Sequence, residues 1–391
     1  MAAAIRDNLA ARHHSIRDLL RRRTLDALVV TSLPNIFYLT GFSGTAGIFV
    51  LTASKGWLLT DFRYVAAVQR LLATSDAWPA AAHVQVEGSY DEALAGLLVE
   101  LGVRRVGFEA ANLSVSRHQW LLARLPAISG AQATGPQLVP TEGVVERIRV
   151  RKDAQEIATL RAAANLLSEV ARDVLRTVQP GPSERELAAV IDYKLKSAGF
   201  ARPAFDTIVA AGSNAALPHA RPGGRRLHTG DLVLLDFGGV YDGYCVDLTR
   251  TVCLGRADEE MHRVYDAVAQ AQRAALAVVA PGVAAAAVDA AARMVLADRG
   301  LSEAFGHGLG HGLGVEVHEA PRVAPRRPGS SATGSDASFE TDMELIAEGM
   351  VFTIEPGAYL PGWGGVRLED DVLVTADGCE VLTDVPRELL V

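Results

Sequence analysis

The sequence predicts an α/β domain over residues 1–140 and a duplicated α+β domain over residues 141–391. Three observations predict it. In the first part, short apolar runs alternate with helical periodicities. In the second, one plan of two helices and then two strands occurs twice. Each copy's strand pair carries two carboxylates.

The opening MAAAIRDNLAARHHSIRDLLRRR is charged throughout and has no apolar stretch of the kind a secretion signal needs. Ile5, Leu9, Ile16 and Leu20 fall at helical spacings, so a surface helix is expected. Residues 25–31 read as a buried strand and Pro34-Asn35 as a turn. Residues 47–52 and 56–60 read as a hairpin about Ser54-Lys55. Residues 90–101 have helical periodicity, and 106–108 form a short strand. Asp61, Arg63 and Tyr64 read as a surface ion pair rather than a ligand site. The turn-rich stretch 136–143 marks the boundary.

In the second part, residues 152–178 form an amphipathic helix that stops at Pro180-Gly181. Ser183 and Glu186 have capping-box spacing for the next helix, which ends near Gly199. Strands follow at 231–237 and 244–252. The second copy has a helix over 258–280 stopped by Pro281-Gly282, another to Gly300, and strands at 351–355 and 366–375. A duplicated unit tends to build its site where the copies meet.

Composition narrows the function. The chain has 391 residues, 49% hydrophobic and 21% charged, as in an ordinary globular protein. A formal charge of −8 argues against a protein built to neutralise nucleic-acid phosphates. Residues 274–292 are apolar but interrupted by Pro281-Gly282 and Asp289, which gives two buried helices and no membrane span. Cys245, Cys253 and Cys379 lack CxxC spacing, so free thiols in a reducing cytoplasm are expected.

The chemistry begins with LVLLDFGGVYDGYCVDLTRTV. Asp242-Gly243 between two β-rich runs is a type I′ hairpin signal. That loop pairs Tyr241 with Tyr244 and Gly238 with Asp247. Asp236 and Asp247 are then diagonal neighbours on one face, roughly 7–8 Å apart at the backbone. Two carboxylates so placed can converge on one cation or flank two. Glu355 ends the apolar strand MVFTI, and Glu369 lies within VRLEDDVLV, where Arg367 shares its parity and can hold a carboxylate in place. FGHGLGHGLGVEVHE holds His307, His311 and His318 among glycines that exclude a helix. Extended chain puts His307 and His311 on one face. His318 has the opposite parity and reaches that face only past a bulge or strand end near Gly314.

The segments LLDFGGVYDGYCVDLTRTV, GHGLGHGLGVEVHEAP, GMVFTIEPG and GVRLEDDVLVT resemble the Xaa-Pro branch of the pita-bread metallopeptidases, prolidase and aminopeptidase P. IVAAGSNAALPH resembles the family segment bearing an active-site histidine, here His219. PNIFYLTGFSGTAG and TDFRY resemble the creatinase-like N-terminal domain. The resemblance implies a creatinase-like α/β domain, a pita-bread catalytic domain and a dinuclear metal site. Asp236 would chelate one metal, Asp247 and Glu369 would bridge both, and His311 and Glu355 would complete the other. The cofactor implied is two divalent ions, Mn²⁺ first, with Co²⁺ and Zn²⁺ as alternatives. Glu355 would also assist proton transfer. His219, His307 and His318 would hold the peptide carbonyl and the tetrahedral intermediate. Arg322 would bind a dipeptide's free carboxylate, with Phe205 and Tyr359 as further substrate contacts.

The activity implied is hydrolysis of the bond before proline in a di- or oligopeptide by a cytoplasmic homodimer, with no nucleic-acid or membrane partner. A dipeptidase is preferred over an aminopeptidase P. A non-enzymatic binding protein of the same fold is a further alternative, although all five ligand positions are kept. Residues 324–340 form a Gly/Ser/Ala-rich insertion, either a lid or decoration.

Overall fold

The computed structural model describes residues 2–74, 77–78, 80–130, 135–326 and 344–390. Most of the 324–340 insertion lies outside the described residues. The chain divides into two compact units, Met1–Arg149 and Val150–Val391.

The first unit runs α1 (Ala2–Arg22), β1 (Ala27–Val30), α2 (Leu33–Thr40), β2 (Ile48–Thr52), β3 (Gly56–Asp61), α3 (Val65–Ala73), β4 (Ala81–Val86), α4 (Tyr90–Glu100), β5 (Arg105–Glu109), α5 (Val115–Ile128), β6 (Gln137–Thr141) and α6 (Glu146–Arg149). Its mixed six-stranded sheet has the order β4-β3-β2-β1-β5-β6. The expected hairpin forms, with Leu51 opposite Gly56. Leu9, Ile16 and Leu20 bury the inner face of α1. Pro34-Asn35 is not a turn. Proline is tolerated in a helix's first turn, where its missing N–H costs nothing, and it stands at the start of α2. The stretch 136–143 holds β6 and lies inside this unit. Asp61 and Arg63 form an ion pair at 2.7 Å, joined by the Tyr90 hydroxyl at 2.9 Å.

The second unit contains α7 (Ala154–Thr177), α8 (Glu184–Ala198), β7 (Arg202–Pro203), β8 (Ile208–Ala211), β9 (Leu232–Tyr241), β10 (Tyr244–Cys253), α9 (Glu259–Val278) and α10 (Ala285–Asp298). It continues with β11 (Gly310–Gly312), β12 (Glu319–Val323), β13 (Val351–Ile354), β14 (Gly357–Leu360), β15 (Gly364–Arg367), β16 (Asp370–Val374) and β17 (Cys379–Val381). The Ser183–Glu186 capping box is made, and Gly199 ends α8 at a φ of 112°. One sheet has β9 between β10 and β7, with β8 also on β9. A second has the order β12-β11-β13-β16-β17, and β14 and β15 pair as a two-stranded sheet of their own. Each of the two larger sheets follows a helix pair, as duplication requires.

The hairpin register is the expected one: Tyr241 faces Tyr244, Gly238 faces Asp247 and Asp236 faces Thr249. Asp242 and Gly243 both take positive φ, as a type I′ turn demands. The predicted strand at 366–375 is broken. β15 ends at Arg367 and β16 begins at Asp370, so Glu369 sits at the break. There its N–H donates to Thr249 O at 3.1 Å, which joins the two sheets through the site.

Glycine sets how closely the second sheet packs. A Cβ on Gly310 would lie 1.9 Å from Thr353 O, whereas one on Gly306 would meet nothing within 4 Å. Gly310→Ala should therefore cost about 1–3 kcal/mol and lower the thermal midpoint by several degrees. Gly306→Ala should leave the melting curve in place. Differential scanning calorimetry on the pair checks this.

Candidate metal centre and active site

The carboxylates come from both copies. β9 supplies Asp236 and β10 supplies Asp247. The end of β13 supplies Glu355, and the break before β16 supplies Glu369. Asp236, Asp247 and Glu369 are each less than a tenth exposed. Carboxylate oxygens of Asp247 and Glu369 and a ring nitrogen of His311 lie within 4.8 Å of one another. His311 Nε2 is 3.6 Å from Glu355 Oε1. These groups line a cavity of about 610 Å³.

The bonding leaves lone pairs aimed inward. Arg367 pairs with Asp236 Oδ2, while Asp236 Oδ1 and Asp247 Oδ1 are buried without a hydrogen-bond partner. A buried, unmatched carboxylate oxygen is costly. Glu369 Oε2 accepts from the Thr249 hydroxyl at 2.6 Å. His311 Nδ1 faces Gly312 O at 3.2 Å, and a carbonyl only accepts, so Nδ1 carries the proton and Nε2 keeps a free lone pair. Burial, then the neighbouring His318, lowers His311 to about 4, so it is a neutral imidazole. Oxygen donors with one imidazole nitrogen fit borderline divalent cations. The residues present therefore fit divalent metal ions.

The charges say the same. Burial and then Glu369 raise Asp247 well above the carboxylate range, and the same two causes raise Glu355. Burial and Asp236 push Glu369 to about 8. Among the described residues, only Arg367 brings a cation to Asp236 by an ion pair.

His219 and His318 both open onto the cavity. His318 does reach this face: the ladder shifts register between His311 and Gly312, β11 ends there, and the two rings stand 4.3 Å apart. His307 lines the cavity too, but both of its ring nitrogens are engaged. Nδ1 bonds Gly308 O at 2.8 Å and Nε2 meets the Tyr359 hydroxyl at 2.9 Å. His307 is thus no ready donor to a substrate. Tyr359 also departs from expectation. It is buried behind the wall and takes no part in the lining; its hydroxyl accepts from Arg367 at 2.8 Å. An order of donation follows, from Arg367 to Tyr359 to His307. Phe205 lines the cavity, as does Arg322. Arg322 stands directly opposite His311 in the ladder, is exposed, and makes no side-chain hydrogen bond or ion pair among the described residues.

Sequence reasoning missed two supporting groups. Thr249 bonds Glu369 and accepts from Arg367 Nε at 3.2 Å. Asp371 accepts the Asp247 N–H at 3.1 Å. Each lies two residues from a carboxylate on the same strand or its extension, a parity signal that could have found both.

A duplicated catalytic unit with buried carboxylates and a neutral histidine around one cavity defines a metal-dependent hydrolase. The chain belongs to metallopeptidase family M24, matched over residues 158–376, and carries a creatinase/prolidase N-terminal domain over residues 12–151. It is 32% identical to an Xaa-Pro dipeptidase of Pyrococcus horikoshii, across 96% of this chain and 97% of that one. Its fold matches the Xaa-Pro dipeptidase from Bacillus anthracis with a TM-score of 0.86 at 32% identity, covering 98% and 100% of the two chains. It also matches an X-Pro aminopeptidase from Thermotoga maritima with a TM-score of 0.81 at 30% identity, covering 95% and 99%.

Stability of the metal-free protein should depend on pH in a stated direction. A carboxyl raised on folding keeps a proton that the unfolded chain has released. Its contribution is full below the ordinary value of 4.5 and is lost as pH rises through about 8. The buried histidines, lowered to about 4, oppose this only below their ordinary value of 6.5, so without metal the thermal midpoint should fall as pH rises from 6.5 to about 8. Saturating Mn²⁺ should raise the midpoint most at the alkaline end. Thermal melts with and without chelator check both.

Proposed function

We propose that this protein hydrolyses the bond before proline in Xaa-Pro dipeptides, with Asp236, Asp247, His311, Glu355 and Glu369 holding two divalent cations, Mn²⁺ foremost. Two cations bound there supply Lewis acidity and bring the pKa of a water into the neutral range. The protein's own groups do the rest. The bond broken is a tertiary amide, so the proline nitrogen leaves as a secondary amine and needs a proton. Glu355, beside His311 on the cavity wall, would take the proton that the water gives up and return it to that nitrogen. Arg367 fixes Asp236 against rotation. His219 and His318 offer imidazole N–H groups to the scissile carbonyl as its oxygen gains charge. His307 holds Tyr359, and through it Arg367. A cytoplasmic homodimer belongs to the same reading; buried thiols at Cys245 and Cys253 agree with a reducing compartment.

The observation that carries the dipeptide preference is Arg322. It is an exposed guanidinium on the cavity wall, on the same strand face as His311, with no ion-pair partner among the described residues. A free carboxylate on the proline is the partner such a group lacks. An aminopeptidase substrate, which continues past the proline, places no free carboxylate there.

Two experiments test this reading. His219→Ala and His318→Ala should each lower kcat/KM by about 10²–10³ while metal content stays at the wild-type level, as for loss of one oxyanion donor. Metal loss in either variant would move that histidine into the ligand set. Arg322→Ala should slow Xaa-Pro hydrolysis by about one to two powers of ten, and leave any Xaa-Pro-Xaa cleavage nearly unchanged. Amidating the dipeptide's carboxylate should have the same effect on the wild-type enzyme, without adding to that of the mutation. A wild-type preference for the tripeptide would reassign the protein as an aminopeptidase.

A further inference from the structure

Residues 305–309 carry His307 yet belong to no strand. Glycines at 306 and 308 leave that backbone unusually free. Backbone polar groups in such a segment need partners, and several find them on one helix face. Arg293 Nη1 donates to Phe305 O at 2.9 Å, and Nη2 donates to His307 O. The Leu309 N–H donates to Asp289 Oδ1 at 3.1 Å. Asp289 and Arg293 stand one turn apart on α10 and hold each other, Nε to Oδ2 at 2.7 Å and Nη2 to Oδ1 at 3.1 Å. The guanidinium also covers the Phe305 ring at 4.3 Å. Asp289 is only 1% exposed. A buried carboxylate is costly unless its remaining lone pairs are matched, and here the strip's own N–H helps to match them.

The geometry points to Asp289 and Arg293 as positioning residues for His307. They fix the backbone on both sides of it. The ring therefore keeps Nδ1–H on Gly308 O and Nε2 on the Tyr359 hydroxyl, whose other partner, Arg367, holds Asp236. Freed from α10, the glycine strip would let the ring turn, and the order from His307 to Asp236 would lapse. This inference rests on the proposed place of His307 in the active site.

The test uses the metal-loaded, full-length enzyme and an Xaa-Pro dipeptide. Arg293→Ala should lower kcat about tenfold with KM changed less than about twofold, because it misplaces a group without removing it. Bound metal should be unchanged. Arg293 is partly exposed, so added guanidinium ion, at concentrations far below denaturing, should restore part of the rate. Arg293→Lys should restore little, since an ammonium cannot span two carbonyls and a carboxylate. The deciding measurement is the cycle with His307→Ala. If Arg293 acts through His307, Arg293→Ala adds no loss in that background. Additive losses, released metal or a wild-type kcat in Arg293→Ala would each overturn the inference. Released metal would place the effect at Glu355, whose N–H bonds Leu309 O at 2.8 Å. A wild-type rate for His307→Ala alone would remove the reading beneath the inference and the inference with it. Should Arg293→Ala fail to fold, Asp289→Asn, which keeps the acceptor for Leu309 and drops the charge, runs through the same cycle.

Discussion

Carboxylates at 236, 247, 355 and 369 repel one another where little water reaches, and much of the second unit is arranged to keep them there. Burial and Asp236 push Glu369 to about 8, and Asp236 is held in place by its ion pair with the Arg367 guanidinium. Left to side-chain entropy alone, the four would swing apart. They do not, because each sits on or at the end of a strand whose own ladder is fixed. The contacts Glu369 N–H to Thr249 O and Asp247 N–H to Asp371 then tie one sheet to the other. The cluster is thus a stored electrostatic cost, offset by two sheets and by the cations it attracts.

How legible this was depended on the range of the contact. The Asp242-Gly243 loop fixed its own register, because a type I′ turn leaves no freedom in which residues pair. The capping box at Ser183 was equally local and equally readable. Pro34 was ambiguous by nature, since proline opens turns and helices alike. Its neighbours Ile36, Tyr38 and Leu39, all buried, decided for the helix. Strand parity ran out at His318 and Glu369, where a register shift and a strand break re-aim the chain. Tyr359, Asp289 and Arg293 were not legible as a set. Their partners lie across the duplication or on another element, and one sequence holds no record of which distant groups meet.

The first unit solves a smaller version of the same problem. Glu109 is buried, and burial raises it above the carboxylate range. It accepts from the N–H groups of Thr31 and Ser32 at 2.6 and 2.8 Å and from the Asn35 amide at 2.6 Å, at the start of α2. The helix end supplies donors and a favourable dipole in place of a metal. The metal-site acids instead line a cavity that accepts cations, whereas Asp289 and Glu184 in the same unit are matched, like Glu109, by backbone N–H groups.

The glycines of GHGLGHG have a further consequence, for descent rather than for catalysis. Gly310 and Gly312 are small because carbonyls of Thr353 and Ala320 stand where a Cβ would be. Their constraint comes from neighbouring backbone. A lineage that abandoned the reaction would be released from keeping His311, yet still bound to keep the glycines on either side of it. In such relatives the spacing of the glycines should outlive the histidine between them, so the pattern alone dates the fold and not the activity.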